Sequence, residues 1–101
     1  MKPMYVCIVC ASKSLTEIAK PLAELSAEIK SASGGDFTIG MKTAATMLIA
    51  FTSDVPPDHL AARLRTLAYQ DMRFVLFATD RLIGGFLDAH AIEWMARRLG
   101  H

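Results

Sequence analysis

The chain of 101 residues has little of what usually announces a function: two cysteines, four prolines, one tryptophan and a net charge of +1. Two cysteines cannot build the disulfide framework of a small secreted scaffold. Eleven basic against ten acidic residues argue against an obligate binder of nucleic acid or another polyanion, which needs a basic face. The longest unbroken apolar run, Met4 to Ala11, falls far short of the ~20 residues a membrane helix requires. With the residues before it, the segment is also shorter than a secretory signal of ~15–30 residues and lacks a small-x-small cleavage site. It reads as a buried strand, and the protein as cytoplasmic with no membrane partner.

What the chain does have is core. Apolar residues make up 52% and charged residues 21%, which excludes a disordered tail. At this length about 65% of the unfolded surface can be buried, enough for one hydrophobic core without staples. No internal repeat, low-complexity stretch or linker interrupts it, so residues 1–101 read as a single domain.

Cys7 and Cys10 spell Cys-x-x-Cys, but within Met-Tyr-Val-Cys-Ile-Val-Cys rather than at a helix start, where the dipole would lower a thiol pKa. An offset of three on a strand turns the two thiols to opposite faces, and zinc would need two further ligands. They read as core cysteines.

Met4–Cys10 is apolar on both faces and predicts a central strand. Ser14-Leu-Thr-Glu17 has the form of a capping box, and Leu15, Ile18, Leu22, Leu25 and Ile29 make one helical stripe ending near Ser31. Pro21 inside it predicts a kink or an irregular first turn. After the break at Ser33-Gly34-Gly35-Asp36, alternating Phe37, Ile39 and Met41 predict a half-exposed strand. Thr46–Thr52 is again apolar on both faces. Asp54-Val-Pro-Pro-Asp58 opens a second helix whose buried face is Leu60, Leu64, Leu67 and Ala68. Arg73–Thr79 is a fourth strand, and Leu82–Leu87 a flexible connection or short fifth one. Asp88 caps a last helix carrying Ile92, Trp94, Met95 and Leu99, with Gly100 as its stop.

This order predicts an α+β fold, the ferredoxin-like βαββαβ sandwich with an appended C-terminal helix. A three-layer parallel sheet is the alternative. Three strands are apolar on both faces while two helices cover one, so the second face needs the last helix or a second subunit.

Thr46-Met-Leu-Ile-Ala-Phe-Thr, the proline-flanked helix, Asp71-Met-Arg-Phe-Val-Leu-Phe and the closing Asp88…Glu93-Trp94-Met95 resemble a group of small bacterial ferredoxin-like proteins. That group is related in shape to the CRISPR-associated small nuclease and to VapD-type toxins. The resemblance spans about residues 44–99 and implies the same fold. It also implies a metal-dependent endonuclease-like or toxin–antitoxin activity on RNA or DNA. The nuclease relatives carry an aspartate directly after the first strand, whereas this chain reads Cys10-Ala11-Ser12-Lys13. Neither Cys nor Lys suits Mg²⁺, which wants oxygen ligands, so the metal chemistry does not follow.

In the sandwich, Thr52-Ser53-Asp54 and Thr79-Asp80-Arg81 end at one sheet edge and are expected to be neighbours. Asp54 and Asp80 are then candidate catalytic or ligand carboxylates, with Arg81 orienting an anion. Ser12 and Lys13, ahead of the predicted helix start, are candidate anion contacts. Trp94 and Met95 suit an interface. His59, His90 and His101 are scattered, and Arg97-Arg98 complement a helix dipole. No metal or cofactor is implied. The leading expectation is a small homodimeric interaction or regulatory module; a separate protein partner is the other binding possibility.

Overall fold

The computed structural model describes residues 2–67, 69–80 and 88–99. It is an α+β structure: β1 Met4–Ala11, α1 Ala19–Ser33, β2 Phe37–Lys42, β3 Thr46–Thr52, α2 Pro57–Arg65, β4 Met72–Thr79 and α3 Ala89–Leu99. The expected connection at Leu82–Leu87 and the Gly100 stop lie outside the described residues. No described helix is long and apolar enough to cross a membrane.

The strands form one sheet in the order β2-β3-β1-β4, each antiparallel to its neighbours. This excludes the three-layer parallel alternative and is compatible with a ferredoxin-like sandwich. β1 and β3, the strands apolar on both sides, take the two central positions, where both faces are removed from water. On one face Tyr5, Cys7 and Val9 join Met47, Ile49 and Phe51; on the other Met4 and Val6 join Ala50.

Two helices close the first face. Leu15, Ile18, Leu25 and Ile29 pack there beside Leu60 and Leu64 of α2, and Arg63 of α2 pairs with Glu28 of α1. The regular part of α1 starts at Ala19, later than the capping box predicts, and no side chain caps it. Residues 14–19 instead make tight i→i−3 turns, with the amides of Glu17, Ile18 and Ala19 donating to Ser14, Leu15 and Thr16. Pro21 accounts for the delay. At the third helical position its missing N–H removes no bond, because the first four amides of a helix are unpaired anyway. Leu22 then makes the first helical bond, to the Ile18 carbonyl at 2.8 Å. The far end is a Schellman motif: Gly34, at φ 63°, donates to Ser31, and Gly35 donates to Lys30. In α2, Pro57 occupies the first turn and Asp58 complements the dipole, as the sequence predicts.

α3 lies on the second face. Its first turn begins at Asp88, whose carbonyl accepts from Ala91 and Ile92 and whose amide donates to Gly40 of β2. Ala91 and Met95 are buried, and Met95 packs with Met4, Val6 and Ala50 while Trp94 and Leu99 border them. The last helix therefore provides the second cover, but only part of it. A helix is ~10 Å across and strands are ~4.8 Å apart, so one helix covers about two strands. β4 is left out: Val75 is 52% and Phe77 44% exposed.

Tyr5 stacks on Phe51 with ring centroids 5.5 Å apart, yet its buried hydroxyl has no hydrogen-bond partner among the described residues. An unsatisfied buried hydroxyl costs ~1–3 kcal/mol. Tyr5→Phe keeps the ring contact and is expected to raise stability by about 1 kcal/mol, several degrees in Tm for a domain this size. Thermal unfolding followed by circular dichroism checks this; a lowered Tm would mean the hydroxyl is satisfied.

Candidate functional site

β1 starts, β3 and β4 end, and β2 starts at one edge of the sheet, so the segments around Lys2, Asp36, Asp54 and Asp80 collect there. The C-terminal turn of α3 brings Arg97 and Arg98 over the same edge. The result is a polar corner with a cleft of about 280 Å³ lined by Lys2, Asp36, Thr52, Arg97 and Arg98.

Asp36 is its centre. Arg98 Nη2 donates to Asp36 Oδ1 at 2.5 Å and Arg98 Nε lies 3.1 Å from both carboxylate oxygens. Thr52 Oγ1 donates to Asp36 Oδ2 at 2.5 Å. The guanidinium is itself fixed, with Nη1 donating to the Trp94 carbonyl at 3.1 Å and its carbon 3.8 Å above the Trp94 ring. Hydrogen bonding from Arg98 chiefly, and from Thr52, holds the Asp36 carboxyl below its ordinary 3.8 against the opposing effect of burial. A general base at neutral pH needs the opposite shift. The cluster is thus a clamp that fastens α3 to the start of β2, and its acceptors are already occupied.

The residues singled out from sequence fare differently. Thr52 and Thr79 do reach one edge, but both pair with Met4, so β1 stands between them and separates the strands by about 9–10 Å. Asp54 is 78% exposed at its side chain and lies 3.7 Å from Lys2. Asp80 is exposed beside a smaller cleft of about 150 Å³ shared with Lys2, Thr79 and Arg98. Arg81 lies outside the described residues. β1 thus separates the two strand ends, while Lys2 pairs with Asp54 and borders the cleft that Asp80 lines. Ser53 is fully buried and structural, donating to the Ala32 carbonyl at 2.7 Å and accepting from Val55.

Ser12 and Lys13 sit at the opposite edge. Ser12 donates from its amide to the Asp71 carbonyl at 3.0 Å, and Lys13 is exposed. Because α1 starts at Ala19, neither lies at a helix N-terminus, and the anion reading loses its physical basis. Met95 is 7% exposed and packs inside its own chain rather than at a surface, while Trp94 is half-buried under Arg98. Cys7 and Cys10 point to opposite faces as expected. Burial pushes the Cys7 thiol up to about 12; Cys10 is exposed, its sulfur 3.9 Å from the Thr46 hydroxyl. No three His, Cys, Asp or Glu side chains among the described residues converge on a common point. His59 and His90 are exposed, and His101 lies outside the described residues.

Sequence reasoning missed the Asp36–Arg98 pair, 62 residues apart in the chain. Asp36 read as part of a turn, and Arg98 as a complement to its own helix dipole.

Two outcomes follow from these geometries. Asp36→Asn should cost about 1 kcal/mol at pH 7, held to that size because the pair is one-third exposed and solvent-screened. A carboxyl depressed on folding contributes fully above its unfolded value and loses that contribution as pH falls through its folded value. The gap between wild type and Asp36→Asn in urea unfolding should therefore shrink as pH drops below about 4; a constant gap would contradict the clamp. In native protein one thiol, Cys10, should react with a disulfide reagent, and two after denaturation; two fast-reacting thiols in the native state would contradict the burial of Cys7.

Comparison with known protein families, with characterised proteins and with solved structures finds no match to this chain.

Proposed function

We propose that the chain is a single ferredoxin-like domain over residues 1–101 that works as a small interaction or regulatory module and acts as a homodimer. The observation that carries this reading is the uncovered strip of the second sheet face. Val75 and Phe77 of β4 are half exposed on the side where α3 does not reach, with half-buried Ile8 of β1 paired to Val75. Two large apolar side chains facing the same way on a sheet are the kind of anchor a protein interface buries. The polar corner supports the same class of function. Its carboxylate is engaged by Arg98 and Thr52.

Sedimentation velocity on the wild-type chain should show a dimer. Replacing Val75 and Phe77 together with lysine should weaken the association about 30-fold or more, as expected for loss of ~2 kcal/mol of anchor contacts. Because both side chains are half exposed, circular dichroism and Tm should change little. A wild-type chain that stays monomeric at millimolar concentration would overturn the proposal.

A further inference from the structure

α2 and β4 do not close on each other. Between the last turn of α2 and the first half of β4 lies a groove of about 640 Å³. That falls within the ~300–1,000 Å³ of small-molecule sites. Its apolar lining comes from Met72, Phe74 and Leu76, alternate residues that β4 turns toward the helix-covered face. Tyr69, in the turn that leads into β4, adds a ring that is 44% exposed.

The charge of the groove has one sign. Arg65 and Arg73 line it, and no acidic side chain does among the described residues. Neither guanidinium takes part in an ion pair there. Arg73 is oriented by its backbone partners: Nη1 donates to the Gln70 carbonyl at 2.7 Å and to the Met72 carbonyl at 3.2 Å. Its Nε and Nη2 remain for another acceptor. Arg65 is exposed and donates no hydrogen bond among the described residues.

We propose that this groove binds a small aromatic phosphomonoester, with its phosphate on Arg65 and Arg73 and its ring against Tyr69 and Phe74. Charge selects the anion. A carboxylate carries one charge and is satisfied by a single guanidinium fork. A phosphomonoester carries about −1.5 to −2 at pH 7 and has three acceptor oxygens, which two forks can share. The lining selects the rest of the molecule, because exposed rings receive another ring in offset or edge-on contact. A nucleic-acid strand is not the occupant: two cations line the groove, and the chain has a net charge of only +1.

Titration with phenyl phosphate, followed by the amide spectrum of the isotope-labelled chain, tests this. Saturable shifts are expected at Arg65, Tyr69 and residues 72–76. Inorganic phosphate and benzoate, each carrying half of the recognised chemistry, should bind about tenfold more weakly. Arg65→Gln and Arg73→Gln should each weaken phenyl phosphate by about tenfold, the loss of one charge-assisted hydrogen bond. Tyr69→Ala should weaken phenyl phosphate and leave inorganic phosphate unchanged. These side chains are exposed, so the amide spectrum away from the groove should stay as in wild type and show that each variant is folded. Lys20→Gln, which removes an exposed cation outside the groove, should bind as wild type does. No shift at about 10 mM phenyl phosphate would overturn the proposal. Shifts that Lys20→Gln reduces as much as the arginine variants do would overturn it too, as would inorganic phosphate binding as tightly as phenyl phosphate.

Discussion

The structure depends on one strand that must be dry on both sides. β1 carries Tyr5, Cys7 and Val9 toward one face and Met4 and Val6 toward the other, all buried. A strand with that pattern has to be central, and its sheet has to be covered twice. The antiparallel order places β3 and β4 on either side of it, and each face then recruits helices. α1 and α2 close the first face together, from opposite flanks and joined by Arg63 and Glu28. α3 alone closes the second. The asymmetry between two helices and one leaves Val75 and Phe77 on the β4 side of that face exposed.

α3 is short, and much of its outer surface is polar, so its placement needs more than the contacts of Met95 and Ala91. Both of its ends are tied to β2. The Asp88 amide donates to Gly40 at the start, and Arg98 grips Asp36 at the end. The same ties that hold the cover also blunt β2 as an edge and occupy the carboxylate of the polar corner. One helix therefore engages both the β2 edge, through Gly40, and the Asp36 carboxylate, through Arg98.

Local pattern was enough for most of the elements. Strand alternation, the Leu60–Leu64 spacing and the prolines before α2 each act over a few residues, so they can be read from the chain. The start of α1 shows two local signals in conflict. Ser14 and Glu17 favour an early cap, whereas Pro21 is tolerated without loss only if the regular helix begins within three residues of it. The missing N–H prevails, because a proline deeper in the helix costs about 3 kcal/mol and a cap about 1. The candidate site was less legible. That β3 and β4 end at one edge follows from the element order, but the pairing of Lys2 with Asp54 does not. Nor does the capture of Asp36 by an arginine 62 residues away.

By itself the sequence determined that this chain has two-sided strands, amphipathic helices and a surplus of apolar sheet surface, because burial pattern is a property of neighbouring residues. Only the tertiary structure decided how that surplus is shared. It buries Met95 inside, leaves Val75 and Phe77 outside, and converts Asp36 and Arg98 from turn and helix-end residues into a clamp. The reason is geometric: a helix covers about two strands, and which two depends on where its distant ends find partners.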